Sequence, residues 1–354
     1  MRPALKPGLL AVWRNRDTVQ IGIDPRRAVA LTGMRGADVL LRLLDGSRDR
    51  AQVLAAASDL GMDAAAADQV LSLLTAAGAL SDLPAGTYGA LSAGARARLA
   101  PEIATAALAR SDADGGARTL ARRQAACVRV HGASRPGLWI AGMLTAAGIG
   151  LVISTGATAA AVSGAGASDA TAGGAGGSGA GPGARAGRRG TRPPAGADRG
   201  AQRARPPRAQ PRGPGLVILA DSHRRELPAA LAEKLVPHLA VSASEAIGVV
   251  GPLVLPGRSA CMRCLDLTRA ERDPAWPLIL AQLSAQAGAD PPGCDTVLAT
   301  TVAAQAVAQA LAFIDQDGQA PAVTNGTLEL VLPGWQWRRR SWQQHPRCGC
   351  RYRA

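Results

Sequence analysis

Cys261-Met262-Arg263-Cys264 and, near the end of the chain, Cys348-Gly349-Cys350 hold four of the six cysteines. Two thiolates spaced by one or two residues grip one ion from a single turn. Two such turns complete a four-sulfur tetrahedral shell, the form of structural Zn²⁺. A shell closed by Cys261, Cys264, Cys348 and Cys350 leaves no position for a reacting water, so the ion would hold structure. With 83 residues between Cys264 and Cys348, it would staple the tail to the middle of the chain. Disulfides, free thiols and an iron–sulfur or redox centre compete for the same pairs. Against the disulfides, Cys-x-Cys is a strained span and no secretory core is read behind Met1-Arg2-Pro3-Ala4. His345 could replace a thiolate, although a histidine beside such a knuckle more often supports the ligands or is simply exposed.

The second stretch with chemical content is Gly132-Ala133-Ser134-Arg135-Pro136-Gly137, which follows the apolar run Cys127–His131 and opens an apolar helix. Strand, glycine turn and helix are the setting in which backbone amides cradle a phosphate. The spacing is that of Gly-x-Gly-x-x-Gly, but Ser134 stands where backbone must approach phosphate, and Pro136 removes an amide donor. Gly132, Ser134 and Gly137 therefore mark a damaged nucleotide site. Asp221, ending the run Val217-Ile218-Leu219-Ala220, reads as a strand-end turn or helix cap, and its run resembles the ThiF-like strand whose terminal Asp approaches ATP-Mg²⁺, which implies a magnesium-side acid. Cys294, His131, His223 and His238 have no visible nucleophile or base beside them, so no triad is read and Cys294 is taken as a buried or capping thiol.

These residues need elements to position them. Residues 9–31 read as three short strands, Leu9–Trp13, Val19–Ile23 and Ala28–Leu31, separated by turn chemistry. Helical periodicity follows around Ala37–Leu44, over Val53–Leu60, and from the cap Asp63 to Gly78. Residues 1–85 thus predict a winged-helix-like module of three strands and three helices. Residues 86–126 predict a helical connector, with helices over Gly94–Ala100 and Ile103–Arg110 and arginines on its solvated side. An α/β unit occupies 127–155 and resumes over 215–354, with strands at Leu216–Ala220, Leu239–Ser242, Ile247–Leu255, Thr327–Leu332 and Trp335–Trp342 and a long helix at Thr296–Ile314. Between them, residues 156–214 are Gly, Ala and Ser, then Arg, Pro and Gly. That composition predicts a disordered insertion.

Net charge is +14, yet nine arginines crowd between Arg185 and Arg212, so the basic balance is largely a property of that insertion. It could bind nucleic acid or an acidic surface loosely, but no aromatics are interleaved for base stacking, and specific nucleic-acid binding is not expected. DNA binding by the N-terminal module is disfavoured because its third helix, Ala64–Gly78, contains no Lys or Arg. The uncharged stretch Leu138–Val162 has the length of a membrane span, but its glycines divide it into a helix and a strand, and no span is expected.

The order of the first eighty-odd residues resembles the PqqD-like peptide-binding domain, the RiPP recognition element. By that resemblance a leader peptide would add to the edge at Val29, Ala30 and Leu31 and pack on Val70, Leu73 and Leu74. Val128–Ser154, with the exit Ala147-Gly148-Ile149-Gly150, resembles the first βαβ unit of the ThiF/E1-like superfamily. Full members bind ATP and adenylate a carboxylate through an acid after the second strand, an Asn and an Arg-Gln pair. Here that strand ends in Ser154-Thr155-Gly156, and no Asn occurs between Arg16 and Asn325. Leu265–Arg269 with Arg272-Asp273-Pro274-Ala275-Trp276-Pro277 resembles more narrowly the ThiF-like partner proteins of azole-forming (TOMM) RiPP pathways. Their usual second Cys-x-x-Cys is Cys-x-Cys here. The resemblance implies a cytoplasmic, zinc-stapled, non-catalytic scaffold that binds a precursor's leader peptide beside a YcaO-type cyclodehydratase. ATP is not expected as a cofactor, and a homodimer is an option. The alternatives are a working ThiF-type adenylyltransferase and an arginine-rich nucleic-acid or membrane-surface binder.

Overall fold

The computed structural model describes residues 2–33, 36–84, 86–110, 113–155, 215–220, 225–286, 293–316 and 318–352. Asp221, His223 and the stretch 156–214 lie outside the described residues. The N-terminal part contains β1 (Pro3–Leu5), β2 (Ala11–Asn15), β3 (Thr18–Ile21), β4 (Val29–Thr32), α1 (Ala37–Leu43), α2 (Arg50–Asp59), α3 (Ala64–Ala76) and β5 (Leu80–Asp82). Strands β2, β3 and β4 form an antiparallel sheet in that order, so β4 is an edge. Strands β1 and β5 pair separately, a second small sheet that three-residue runs were too short to announce. Asp49 and Asp63 cap α2 and α3 by accepting from the Gln52 and Ala66 amides, each at 2.9 Å. Ile21, Leu31, Leu40, Val53, Val70 and Leu74 fill the core between sheet and helices.

Two helices follow, α4 (Ala93–Ala109) and α5 (Ala117–Ala125). The two helices expected around Pro101 are one, because a proline near the middle removes one hydrogen bond while Leu99, Ala106 and Ala107 are buried on both sides of it. The larger sheet is built from β6 (Cys127–His131), β7 (Leu151–Thr155), β8 (Leu216–Leu219), β9 (His238–Ser244), β10 (Ile247–Val254), β11 (Gly326–Val331) and β12 (Gln336–Ser341). Its order is β12-β11-β10-β9-β8-β6-β7. The strands from β7 to β9 run parallel and those from β9 to β12 antiparallel. Chain order steps from β6 outward to β7, then back across β6 to β8. The topological switch point therefore lies between β6 and β8, where open α/β sheets take ligands at their strand C-termini. The Gly251-Pro252 interruption proves to be a register shift inside one continuous β10.

The remaining helices are α6 (Arg135–Ala146), α7 (Glu226–Glu233), α8 (Met262–Arg272), α9 (Trp276–Gln286) and α10 (Thr296–Asp315). Leu298, Val302, Ala306 and Ala310 form a buried stripe on α10, which packs on α6, β9 and β10. Gly248 makes the approach possible, since a Cβ there would collide with Val302. Among the described residues α10 is the one helix long and apolar enough to cross a membrane. The described part of the uncharged stretch that raised that question, residues 138–155, is α6 followed by β7.

The connector's arginines are not all solvated, contrary to expectation. Arg123 is 8% exposed and donates from Nε and Nη2 to both carboxylate oxygens of Asp315, at 2.9 and 2.8 Å. Its Nη1 reaches Glu102 at 2.9 Å, and Arg110 Nη2 reaches Asp315 at 3.1 Å. Arg122 donates to the Asp315 carbonyl. Burial opposes the Arg123 charge, and the Asp315 and Glu102 carboxylates outweigh it, so its pKa is raised. The buried Lys6 donates to the Arg110 carbonyl at 3.1 Å, carrying the network into the N-terminal part. Replacing Asp315 with Ala strands buried guanidinium charge and is expected to cost roughly 3–5 kcal/mol in urea unfolding. Arg340→Ala, which breaks a partly exposed pair with Glu329, is expected to change stability by about 1 kcal/mol or less in the same assay.

Candidate functional site

Helix α8 follows β10 after a short turn, and Cys261 is its N-cap residue. Cys264 lies one turn later on the same face. The tail returns along β12, passes Trp342, and delivers Cys348 and Cys350 from a short 3₁₀ turn at Gly349–Tyr352. All four are buried, and their sulfurs lie within 4.8 Å of one another. Sulfur separations are 3.7 Å for Cys261–Cys264, 3.6 Å for Cys261–Cys348 and 3.4 Å for Cys264–Cys350. A tetrahedral ion with metal–sulfur bonds near 2.3 Å requires sulfurs about 3.8 Å apart. The four thiols thus fit a metal ion, and none is in a disulfide. The hydrogen bond shared by the two sulfurs pulls Cys264 down and raises Cys261. Burial pushes Cys350 up to about 12. Sulfurs this close cannot all ionise without a cation among them.

His345 is outside this set. Its Nδ1 accepts from the Arg347 amide at 3.1 Å and its Nε2 meets Glu271 at 2.9 Å, while its backbone amide supports the Cys264 sulfur. Around the knuckle stand partners that the sequence reading missed. Arg225 makes a two-point bond to Asp266, at 2.7 and 3.1 Å, and Trp276 Nε1 donates to the same carboxylate at 3.2 Å. Arg269 lies over Trp276 at 4.8 Å and over Trp342 at 5.5 Å. The i,i+3 pair Asp266 and Arg269 was the signal available in sequence. The arginine–tryptophan layers were not, because Trp342 is far from both along the chain.

The strand–turn–helix expected at residues 127–147 forms at the switch point. Gly132 has φ +113°, a value open to glycine, and a Cβ on Gly137 would lie 2.9 Å from Ala220 Cβ. Ser134 is the N-cap of α6, and its hydroxyl donates to the Ala220 carbonyl at 2.6 Å, across the crevice from β6 to the end of β8. Thr155 Oγ1 bonds His131 Nδ1 at 2.8 Å on the other side. Asp221 cannot be placed, since it lies outside the described residues.

The peptide-docking residues separate into two groups. Leu31, Val70 and Leu74 are at most 1% exposed and belong to the core, contrary to their expected role as a contact surface. Helical period explains it, because Val70, Leu71 and Leu74 share the inward face of α3. Leu73 is 45% exposed and Ala30 faces solvent on the β4 edge, with Val29 half-buried beside it.

No protein-family model matches the sequence, and no curated protein matches it. Solved structures do match. E. coli MccB with ATP aligns at TM-score 0.57 and 10% identity over 99% of both chains. The heterocyclase TruD aligns at TM-score 0.59 and 15% identity, over 99% of this chain and 42% of TruD. A heterocyclase in complex with substrate and cofactor aligns at TM-score 0.57 and 14% identity, over 96% of this chain and 38% of that one. The likenesses define a class of fold: this is a mixed α/β chain folded like MccB and TruD. In particular its described residues share the fold of MccB, and it spans less than half of the heterocyclase chains.

Zinc is expected to bind at one ion per chain, and Cys264→Ser to abolish that stoichiometry by atomic emission on the purified protein. The raised Cys261 and Cys350 thiols are protonated at neutral pH and must lose their protons to the ion. Loading should therefore release protons, and affinity should fall as pH falls and rise as it rises. A pH-indicator titration checks the release, and its absence would argue against thiolate ligation.

Proposed function

We propose that this protein is a non-catalytic scaffold of ribosomal-peptide modification, which binds a precursor's leader peptide and presents it to a separate YcaO-type cyclodehydratase in the cytoplasm. Structural Zn²⁺ in the four-cysteine knuckle holds the tail against α8. The observation that carries the non-catalytic reading is the Ser134–Ala220 hydrogen bond. A nucleotide's phosphates would need the α6 amide end and the switch-point crevice together, and a side chain already bridges them. For the peptide, the β4 edge offers unpaired backbone and the exposed Leu73 offers an apolar contact. The likeness to heterocyclase structures and to MccB, solved in complex with N-formylated MccA, supports a place in peptide modification.

An ATP-dependent adenylyltransferase is the second reading. It is favoured by the match to MccB with ATP over 99% of both chains. Pyrophosphate exchange separates the two: incorporation into ATP in the presence of precursor peptide would establish the second.

Leu73→Glu is expected to weaken binding of a fluorescent cognate leader peptide about tenfold or more, read by anisotropy, with little change in Tm. Unchanged affinity would remove α3 from the binding face.

A further inference from the structure

Arg258, in the turn between β10 and α8, and Arg339, on the edge strand β12, line one open cavity of about 400 Å³. Asn325, Ser341, Trp342, Gln343 and Gln344 complete its described lining, so none of the described residues around it is acidic. Arg339 is held by neutral partners. Its Nε donates to the Ala322 carbonyl and its Nη1 to Ser341 Oγ, each at 2.7 Å, while Nη2 lies 3.4 and 3.5 Å from the Thr324 and Asn325 carbonyls. Gly326 makes room, since a Cβ there would lie 2.8 Å from Arg339 Nη2. Gln344 Nε2 donates to the Gly257 and Ser259 carbonyls, at 3.2 and 3.3 Å, which holds the backbone on both sides of Arg258.

Carbonyls and a hydroxyl carry no formal charge, so the two guanidinium charges meet no carboxylate among the residues that line the cavity. Glu329, the acid on the neighbouring β11, pairs with Arg340 instead. Like charges lining one cavity repel, and an anion between them turns that cost into attraction. Neutral donors stand beside them. Ser341 Oγ accepts from Arg339 and keeps its own proton to donate. Asn325 Oδ1 accepts from the Ala260 amide at 2.7 Å, which makes Nδ2 the donor end of that side chain.

We infer that this cavity is a binding site for a phosphate group, free or carried as a monoester. Charge sets the class. A carboxylate answers one guanidinium, whereas a phosphate monoester carries about −1.5 to −2 near neutral pH and answers both. The planar guanidinium fork also matches phosphate oxygens, and an arginine already fixed loses little freedom on binding. The site uses none of β4, α3 or the β6–α6 turn, so it is independent of the leader-peptide reading and of the ATP reading.

The test uses the full-length chain as purified, titrated by calorimetry with inorganic phosphate and, separately, with acetate at the same ionic strength. The expected result is one saturable phosphate site, about tenfold or more tighter than acetate. Arg258→Gln and Arg339→Gln should each weaken phosphate binding about tenfold, with the far-UV circular dichroism unchanged. If the Arg339 variant fails to fold, the exposed Arg258 still decides. Equal affinities for the two anions, the lack of a saturable site, or phosphate affinity unchanged in either folded variant would each overturn the proposal. The last of these would assign the binding to other arginines, such as those between Arg185 and Arg212. A parallel titration with N-acetylphosphoserinamide identifies the source: comparable or tighter binding that Arg258→Gln weakens indicates a phosphate carried on a polypeptide, and exclusion beside phosphate binding indicates the free ion.

Discussion

Four buried sulfurs within reach of one another impose the constraint on which the C-terminal half depends. Thiols at these separations share protons unevenly, with Cys264 driven toward thiolate and Cys261 and Cys350 away from it. A divalent cation resolves that conflict for all four at once. The consequence reaches well past the knuckle. Cys348 and Cys350 can meet α8 only if β12 crosses to the sheet edge, and that crossing sets Trp342 against Arg269. Trp276, on the next helix, lies 4.8 Å from the same guanidinium.

Asp315 plays the comparable part at the C-terminus of α10. An acid at a helix C-terminus is unfavourable by itself. Here it gathers Arg110, Arg123 and the backbone contact from Arg122, and Lys6 extends the network into the N-terminal sheet region. Both devices tie segments far apart in sequence through side chains. Neither takes part in chemistry at the switch point. There, the β6–α6 turn retains the glycines that shape a phosphate cradle, while Ser134 spends its hydroxyl on Ala220. The strand–turn–helix therefore carries an internal bond across the switch-point crevice.

Legibility followed range. The caps at Asp49 and Asp63, the alternation of apolar runs and the turn at Gly132 are local features, and the elements they bound formed within a few residues of expectation. The joining of α4 across Pro101 and the pairing of β1 with β5 were missed because tertiary packing overrode a local breaker and rescued strands of three residues. The peptide-docking set shows a subtler failure. Apolar residues at helical spacing say that a face is buried without saying whether a core or a partner buries it, so Leu73 and Val70 read alike until the neighbours are in place.

By itself, the sequence determined the four-cysteine pairing into two close clusters, the strand–turn–helix at residues 127–147 with its obstructed glycine pattern, and the alternation that builds the mixed sheet, since each is a matter of residue type and short spacing. Only the tertiary structure decided that the two clusters meet, that Arg123 is buried on Asp315, and that Ser134 faces Ala220. These are relations between side chains from 86 to 192 positions apart for the paired residues, and no periodicity or local propensity carries information over such distances. Burial, which sets what each of these groups needs from its partner, exists only once the chain has closed on itself.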